Sequence, residues 1–321
     1  MSPALPFLDA DAIRSAVPIG DLLDAVEAAF RDVASGRDRS PLRSHVELDD
    51  GDLLLMPGLR RGGAGTTVKL VTIVPGNAAA GRPTVQAVVV WIDAATGTPR
   101  ALIDGATLTA MRTGAASGVA TRLLARTDAS SLAVIGAGAQ AVWQVHAVLA
   151  ARPSITEVRV FSRDPAGREA FAARLGDEVS GVAVRAVASA EDAVRGAGVV
   201  CCATTATEPV FDAAWLAPGA HVNGIGAFRL GMVELPPELF GVAAVVAVDS
   251  RAAALAEAGD LVAAIERGLL AESELVEIGT VDRAWAGSRD PEAITAFKSV
   301  GLAIQDVAAA ELLVGRLLTD D

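Results

Sequence analysis

The stretch Ser131–Ala151, SLAVIGAGAQAVWQVHAVLAA, contains no charged side chain and changes its pattern once. The short apolar run Leu132–Ile135 breaks at two glycines, and apolar residues then return at helical spacing. A buried strand, a glycine turn and a helix produce this order. The turn itself, Gly136-Ala-Gly138-Ala-Gln-Ala141, has the G-x-G-x-x-A form of the dinucleotide-binding fingerprint. The stretch therefore predicts a helix N-terminus that binds the phosphates of a dinucleotide.

Two other interpretations of this stretch have to be weighed. A transmembrane helix is one, but glycines and polar side chains interrupt the run, and no basic cluster flanks it. A glycine turn in an unrelated α/β protein is the other, since the pattern has many false positives. The chain that follows favours the dinucleotide interpretation, because helices alternate there with strands predicted at 132–135, 158–161, 182–186, 199–203, 222–225 and 245–248.

The N-terminal part of the chain has a different pattern. Residues 1–40 predict capped helices, and residues 43–104 predict strands joined by turns, which is typical of an α+β domain with a largely antiparallel sheet. We therefore predict an α/β protein in two domains. A Rossmann-type, doubly wound parallel sheet occupies residues 114–301. The α+β domain occupies residues 1–113, together with a C-terminal helix over residues 302–321.

Composition excludes several classes of function. The net charge of -12 argues against a nucleic-acid partner, because binding a phosphate backbone needs clustered Lys and Arg. The two cysteines are adjacent in an apolar run and the three histidines are scattered, so we expect neither a disulfide framework nor a metal site. The first thirty residues are rich in acidic side chains and resemble no signal or transit sequence. We expect a cytoplasmic protein with no membrane partner.

The end of the second predicted strand indicates the type of cofactor. In a unit that binds NAD, an acidic residue usually ends this strand and accepts a hydrogen bond from the ribose 2′-hydroxyl. Here the strand ends in Ser162 and Arg163, with no acid before Asp164. Ser162 and Arg163 could instead hold a 2′-phosphate, whereas the alternative makes Arg163 one solvated arginine among many. The sequence favours NADPH, with NADH possible.

Motifs in a fixed order along nearly the whole chain resemble the ornithine cyclodeaminase/mu-crystallin family. Beside the glycine fingerprint, the matching stretches are Val68-Lys69-Leu70, Gly81-Arg-Pro-Thr84-Val-Gln86, Leu108-Thr-Ala-Met-Arg112, Asn223-Gly-Ile-Gly226, Ala258-Gly-Asp260-Leu261 and Phe297-Lys-Ser299-Val-Gly301, followed by Asp306. The resemblance implies an N-terminal sheet domain that binds substrate and forms a homodimer, beside a Rossmann domain. It also implies a small anionic amino-acid or imino-acid substrate.

The resemblance further implies that Arg43, Lys69 and Arg112 hold the substrate carboxylate, with Lys69 and Arg112 as the catalytic residues. Thr84 and Gln86 would line the same pocket, although an ordinary polar strand face is the alternative for both. Independently of the resemblance, the position of Lys69 supports binding of a carboxylate. An unpaired ammonium group inside an apolar strand is costly, and an anionic ligand would offset that cost. A salt bridge to a buried carboxylate, or an outward-pointing lysine, is the alternative.

The chain departs from the family pattern at Phe228 and Met232. Cyclodeaminases and alanine dehydrogenases resemble each other in having Asp and Lys at these two positions. Phenylalanine can act neither as a base nor as a water-activating group, but it could form a wall against a cyclic substrate. We therefore expect an NAD(P)H-dependent reductase of a cyclic or substituted α-imino acid, of the Δ1-pyrroline-2-carboxylate or Δ1-piperideine-2-carboxylate type, that yields the L-amino acid.

Two alternatives stay open at this point. One is another oxidoreductase of the same family, either an ornithine cyclodeaminase or an enzyme like alanine dehydrogenase. The other is a small-ligand binding protein of the crystallin type that depends on NADP. In each case the residues expected at the cofactor are Gly136, Gly138, Ala139, Gln140, Ser162, Arg163, Ala203, Thr204 and Ser299. For Ser299, an ordinary helix cap is the competing role.

Overall fold

The structure is a computed structural model that describes residues 5–318. Its internal contacts divide the chain into two compact units at Arg112/Thr113 and at Gly301/Leu302. The mixed-sheet unit combines the chain before the first boundary with the C-terminal helix, and the parallel-sheet unit contains the residues between the boundaries. The domain boundaries expected from the sequence, after residues 113 and 301, stay a prediction.

Strands and helices occupy most of both units. The strands are β1 (Phe7–Leu8), β2 (Ser44–Leu48), β3 (Gly51–Leu59), β4 (Gly65–Ile73), β5 (Val85–Asp93), β6 (Pro99–Asp104), β7 (Ser131–Ile135), β8 (Glu157–Phe161), β9 (Ala183–Ala186), β10 (Val199–Cys202), β11 (His221–Gly224), β12 (Val245–Val248), β13 (Leu275–Glu277) and β14 (Thr295–Lys298). The α-helices are α1 (Ala10–Ala16), α2 (Ile19–Ala34), α3 (Gly105–Leu124), α4 (Ala139–Ala151), α5 (Pro165–Glu178), α6 (Ala190–Val194), α7 (Pro237–Val242), α8 (Arg251–Glu257), α9 (Gly259–Glu266), α10 (Trp285–Ser288) and α11 (Ala303–Leu317).

The mixed-sheet unit contains one sheet, in the order β1-β6-β5-β4-β3-β2. Only the short β1 pairs in parallel with its neighbour, and the remaining described pairs are antiparallel. Helix α11 packs on β3, β4 and α2, and therefore covers one face of the sheet. Lys69 lies on that covered face, because it pairs with Met56 and Val89, which are both buried. Residues that alternate with it, such as Leu70, lie on the opposite face.

The parallel-sheet unit contains an all-parallel sheet in the order β13-β12-β14-β11-β10-β7-β8-β9. The chain runs outward from β7 to β9 on one side and returns to continue with β10 on the other. In a sheet of this kind, ligands bind where the strand order reverses, at the carboxyl ends of the strands. That point lies between β7 and β10. The expected combination of a Rossmann-type parallel sheet and a largely antiparallel sheet is confirmed.

Two strands of the parallel sheet, β13 and β14, are missing from the sequence prediction. Both are short, and β14 ends in Lys298, which is fully buried. A lysine at the end of a short apolar run looks like the start of a solvated loop, so periodicity alone passes over this strand. Within residues 5–318, no helix combines the length and the apolar content that a membrane crossing would need.

Candidate functional site

In the mixed-sheet unit, one carboxylate pairs with two basic side chains. Lys69 Nζ lies 2.8 Å from Asp306 Oδ2, and Arg112 Nε donates to Asp306 Oδ1 at 3.0 Å. Arg112 also donates from Nη1 to Gln305 Oε1 at 2.7 Å. Asp306 lies in the first turn of α11, where the helix dipole favours a negative charge. Strand β4, helix α3 and helix α11 therefore bring together two cations and one anion, all buried.

Burial and the neighbouring charges set the protonation of this cluster. Burial lowers the pKa of Lys69 to about 7, with Asp306 acting to raise it and Arg112 and Arg43 acting to lower it further. Burial alone would raise the pKa of Asp306, but Lys69 and Arg112 outweigh it and hold this pKa below its ordinary value. Asp306 is therefore ionised at neutral pH. Lys69 is close to the midpoint of its own titration, so it can both hold and release a proton there.

The other residues expected at the substrate are Arg43, Thr84 and Gln86, and they differ in their position relative to this cluster. Arg43 directly precedes β2, is half-buried and is close enough to influence Lys69 electrostatically. Thr84 precedes β5 and accepts a hydrogen bond from Val74 through its backbone carbonyl. Gln86 pairs with Thr72 across β4 and β5, which places it on the sheet face opposite Lys69. The structure therefore brings Lys69 and Arg112 together with Arg43 nearby, and it does not bring Gln86 to them within the chain.

The glycine turn after β7 has the shape that a dinucleotide needs. Gly136 adopts φ +115°, a conformation that strongly favours glycine, and a Cβ on it would lie 2.6 Å from the carbonyl oxygen of Ala203. The turn therefore passes directly against the end of β10. Gly138 is the N-cap of α4, and no atom in the described part of the chain lies within 4 Å of where its Cβ would be. The backbone at Gly138 is thus open to an incoming phosphate group.

Helix α4 presents its N-terminus at this turn. Ala139 and Gln140 form its first residues, and Ala141 is fully buried against the sheet. The Oε1 atom of Gln140 is buried and has no hydrogen-bond partner among the described residues 5–318. A buried polar atom of this kind usually has a partner, so an added ligand atom here would complete its bonding. The open glycine and the unsatisfied amide both fit a bound dinucleotide, whose phosphates would face the first N–H groups of α4.

The end of β8 carries the residues expected at the adenosine ribose. Ser162 donates to the Asp164 carbonyl oxygen at 3.2 Å, and Arg163 is exposed. Arg168, on the first turns of α5, donates from Nη1 to the Ser162 carbonyl oxygen at 3.0 Å and lies over the ring of Phe161 at 5.5 Å. Sequence reasoning missed Arg168. The usable signal was its position, one helical turn inside a helix that starts beside Arg163. Two arginines therefore lie near the end of this strand, and contacts with Ser162 and Phe161 fix the guanidinium group of Arg168 there.

The ends of β10 and β11 contain the remaining expected residues. Ala203 and Thr204 are half-buried directly after β10, and the two cysteines before them are fully buried. Burial raises the pKa of Cys201 to about 12, so this thiol is neutral and serves packing. Phe228 follows β11 and is half-buried. The structure thus places Ala203, Thr204 and Phe228 after neighbouring strands of one sheet.

Ser299 is fully engaged inside the protein. Its hydroxyl donates to Asp249 Oδ2 at 2.8 Å, and the same carboxylate oxygen accepts from the backbone N–H groups of Val300 and Gly301. Gly301 adopts φ +82° in this turn. Burial raises the pKa of Asp249, and the hydrogen bonds from Ser299 and the backbone oppose that effect. Ser299 therefore stabilises the turn, and any contact with a cofactor would come through the geometry of that turn.

Sequence reasoning gave no role to the acidic side chains that organise both units. Asp306 belongs to a matched motif, but its partners lie far away in the sequence. Asp249 and Glu234 were also passed over, and both are buried. Each follows or lies within a mostly apolar segment, and a charge in such a segment signals a buried partner. The sequence contains that signal but does not identify the partner.

Comparison with known proteins matches this geometry to one family. The model of the "Ornithine cyclodeaminase/mu-crystallin family" matches residues 6–320. The Delta(1)-pyrroline-2-carboxylate reductase of Bacillus cereus is 36% identical over 313 residues, which cover 96% of this chain and 95% of the relative.

Solved structures agree with this assignment over the full chain. Delta(1)-pyrroline-2-carboxylate reductase of Thermococcus litoralis, solved in complex with NADH and L-proline, superposes with a TM-score of 0.91 at 33% identity and covers 98% of both chains. An archaeal alanine dehydrogenase dimer with bound NAD superposes with a TM-score of 0.87 at 33% identity, and covers 98% of this chain and 96% of its own. Both solved relatives hold a nicotinamide dinucleotide, as the glycine turn predicts. The chain therefore belongs to the ornithine cyclodeaminase/mu-crystallin family, as an NAD(P)-dependent oxidoreductase.

Proposed function

We propose that this protein reduces a cyclic α-imino acid, of the Δ1-pyrroline-2-carboxylate or Δ1-piperideine-2-carboxylate type, to the corresponding L-amino acid, with NADPH as the preferred reductant. In this reaction the C2 carbon of the C=N bond accepts a hydride and the nitrogen accepts a proton. The nicotinamide ring, when bound, supplies the hydride. The tasks left to the protein are to hold the carboxylate, to supply the proton and to keep the ring in place.

The charge of the Lys69 cluster supports binding of a carboxylate. Lys69 and Arg112 bring two positive charges against the single negative charge of Asp306, and all three side chains are buried. A buried excess of positive charge is unfavourable unless an anion compensates it. Arg43 adds a further positive charge near Lys69. A substrate carboxylate would balance this excess, which is why we assign the site to an α-imino acid and its binding to these three basic residues.

Lys69 also supports the role of proton donor. With its pKa lowered to about 7 by burial, the ammonium group loses its proton more easily than an exposed lysine does. A group with this pKa is suited to general acid catalysis at neutral pH. Asp306 keeps the ammonium form available, because its negative charge raises the pKa of Lys69. We therefore assign Lys69 to both carboxylate binding and proton transfer to the imine nitrogen.

Phe228 is the main observation that favours imine reduction over deamination. Deamination of ornithine requires a group that activates water or takes a proton, and the half-buried phenyl ring at this position does neither. Met232, at the second position of departure from the family pattern, is buried and equally inert. Imine reduction needs no such group. The relatives named as Δ1-pyrroline-2-carboxylate reductases support the same choice.

Ser162, Arg163 and Arg168 support a preference for NADPH. Arg163 is exposed and makes no ion pair within residues 5–318, so its charge is available to a ligand. Arg168 is fixed beside it by its hydrogen bond to the Ser162 carbonyl oxygen. A 2′-phosphate could accept charge-assisted hydrogen bonds from such groups. Asp164, the N-cap of α5, is the nearest acid along the chain, and it would favour the 2′-hydroxyl of NADH instead.

The outer face of the mixed sheet supports a homodimer. Three apolar side chains on this face, Val46, Leu48 and Leu70, are 46%, 40% and 37% exposed. They lie on β2 and β4, which flank β3, on the side of the sheet that α11 does not cover. An apolar sheet face of this kind is typical of an interface, and an archaeal relative is a dimer. In sedimentation velocity we expect a dimer, and a shift toward monomer in Leu70→Glu; a monomeric parent protein would contradict this assignment.

A substrate panel tests the proposed reaction. Purified protein would be mixed with NADPH, and separately with NADH, and with Δ1-pyrroline-2-carboxylate, Δ1-piperideine-2-carboxylate, or pyruvate and ammonia. We expect rapid NADPH oxidation with a cyclic imine and L-proline or L-pipecolate as product. Oxidation with pyruvate and ammonia alone would indicate an alanine dehydrogenase. Ammonia release from ornithine with catalytic NAD would indicate a cyclodeaminase, and cofactor binding without turnover of any substrate would indicate a binding protein.

A further inference from the structure

A second buried ion cluster lies in the parallel-sheet unit. Lys298, at the end of β14, places its Nζ atom 3.3 Å from Asp260 Oδ2 and 3.8 Å from Glu234 Oε1. All three side chains are fully buried. None of them belongs to the fingerprint, to the predicted ribose site or to the Lys69 cluster. Because three charged groups are buried at a high cost in hydration energy, their position in the fold calls for a function.

Glu234 connects the loops that follow two neighbouring strands. Its Oε2 atom accepts hydrogen bonds from the backbone N–H of Thr204 at 3.0 Å and from the Thr204 hydroxyl at 3.1 Å. Its Oε1 atom accepts from the backbone N–H of Gly226 at 2.6 Å. Thr204 follows β10 and Gly226 follows β11. One carboxylate therefore fixes the carboxyl ends of both strands.

The two loops are also in direct contact. A Cβ on Gly226 would overlap the carbonyl oxygen of Thr204 and would lie 2.6 Å from Glu234 Oε2. Ala203 directly precedes Thr204 in the chain. The carbonyl oxygen of Ala203 lies close to Gly136 of the phosphate-binding turn. A chain of close backbone contacts thus runs from the glycine turn, through the end of β10, to the end of β11. Glu234 lies at the far end of that chain.

Lys298 makes this arrangement possible electrostatically. Burial raises the pKa of Glu234 and Lys298 opposes that rise, whereas Asp260 adds to it. Among residues 5–318, the buried thiols of Cys201 and Cys202 also face this cluster. An ionised carboxylate accepts hydrogen bonds at both oxygens, whereas a protonated one must donate from one of them. Glu234 needs both oxygens as acceptors, because all of its partners at Thr204 and Gly226 are donors.

We propose that Glu234 is a positioning residue for the dinucleotide: held as an anion by Lys298, it fixes the loops after β10 and β11 in the arrangement that binds the cofactor. The inference rests on cofactor binding by this unit and does not depend on which imino acid is reduced. Its role is to order the backbone before the ligand arrives, so that binding does not bear the entropic cost of ordering two loops.

Two variants and one control test the proposal. Glu234→Gln replaces an acceptor oxygen with an amide N–H, which faces a backbone donor. Lys298→Met keeps every hydrogen bond of Glu234 but removes its counter-charge. Glu238→Gln makes the same chemical change as the first variant at an exposed residue that pairs with Arg267, and we expect no effect from it. NADPH affinity is measured by cofactor fluorescence without substrate, and the unfolding midpoint is recorded in parallel.

We expect Glu234→Gln to weaken NADPH binding at least about tenfold. In Lys298→Met the pKa of Glu234 should rise further, so NADPH affinity should be near that of the parent at pH 8 and fall about fivefold or more by pH 6. The parent and Glu238→Gln should change less over this range, and by the same factor as each other, because they share the titration of the NADPH 2′-phosphate and keep Lys298. NADPH affinity in a folded Glu234→Gln protein that stays within about twofold of the parent overturns the proposal. If that variant does not fold, a pH profile in Lys298→Met that matches the profile of the parent overturns it, since a role in stability alone would not add a pH dependence to cofactor affinity.

Discussion

The two buried ion clusters of this protein have opposite compositions. In the mixed-sheet unit, Lys69 and Arg112 share one carboxylate, that of Asp306. In the parallel-sheet unit, Glu234 and Asp260 share one ammonium group, that of Lys298. All six side chains are buried. The first has one positive charge in excess when its members are ionised, and the second has one negative charge in excess.

The sign of the excess corresponds to what each cluster binds. The negative excess is satisfied within the fold, because Glu234 accepts hydrogen bonds from Thr204 and Gly226. Within residues 5–318 the positive excess has no comparable set of backbone acceptors: beyond Asp306, Arg112 donates to the side chain of Gln305. We therefore assign a structural role to the cluster whose excess charge the backbone N–H groups stabilise, and a ligand-binding role to the cluster that lacks such partners. This contrast is the physical basis for assigning the substrate to one unit and cofactor positioning to the other.

Lysine usage supports the same contrast. The chain contains only two lysines, Lys69 and Lys298, and all its other basic side chains apart from histidine are arginines. Both lysines are fully buried in these clusters. Lysine changes its protonation state when buried far more readily than arginine does. A protein labelled with ¹³C at the lysine Cε carbons should therefore show two signals, and Lys298→Met identifies which of them belongs to Lys69.

The largest effect is expected for Lys69→Met. Methionine keeps most of the volume but removes both a carboxylate-binding charge and the proposed proton donor, so kcat/KM for the cyclic imine should fall by about 10³-fold. NADPH affinity should not change. Steady-state kinetics and cofactor titration measure the two quantities. Lys298→Met is the matched control, because it makes the same replacement in the other cluster and should alter the pH dependence of NADPH affinity instead. If both variants lose the same property, the division of roles between the clusters is wrong.

Asp306→Asn should move the pH profile of the reaction. Imine reduction needs the protonated form of Lys69, so kcat/KM in the parent should fall as pH rises through about 7. Asp306 raises the pKa of Lys69, and its neutralisation should shift this limb by about one unit toward lower pH, with about a tenfold loss of activity at pH 7.5. The Lys69 Cε signal should titrate at the same lower pH. An unmoved limb, with a folded variant, would show that Lys69 is not the proton donor.

Much of the parallel-sheet unit could be predicted from the sequence, because its strands are apolar runs separated by glycine turns and helices. The Gly136 turn was identified residue by residue, since each small residue there has a steric reason. The acidic partners could not be identified in this way. Lys69 stands out as a charge in an apolar strand, but nothing local connects it to Asp306 at the other end of the chain. The sequence indicates that a buried charge needs a partner, but only the fold identifies that partner.

Gly226→Ala tests the loop contact on which the second cluster depends. The added methyl group overlaps the Thr204 carbonyl oxygen, so the two strand ends must separate. We expect a loss of about 1–3 kcal/mol in the free energy of unfolding and about a tenfold weaker binding of NADPH. Chemical denaturation and cofactor fluorescence measure these. Gly231→Ala is the control, because nothing lies within 4 Å of its added Cβ. Unchanged NADPH affinity in Gly226→Ala would show that the loop contact does not influence cofactor binding.

The smallest effect is expected for Arg163→Ala, which removes an exposed charge and leaves both buried clusters intact. An exposed ion pair contributes little, so NADPH affinity should fall only about fivefold, and by less as ionic strength rises. NADH affinity should not change, because NADH lacks the 2′-phosphate that Arg163 would contact. Arg174→Ala removes an exposed arginine of α5 that pairs with Glu178; it is the control and should leave both affinities as they are. An equal loss for NADPH and NADH would mean that Arg163 contacts a part of the dinucleotide common to both. Selectivity would then have to come from Arg168, which the Ser162 carbonyl oxygen already holds in place.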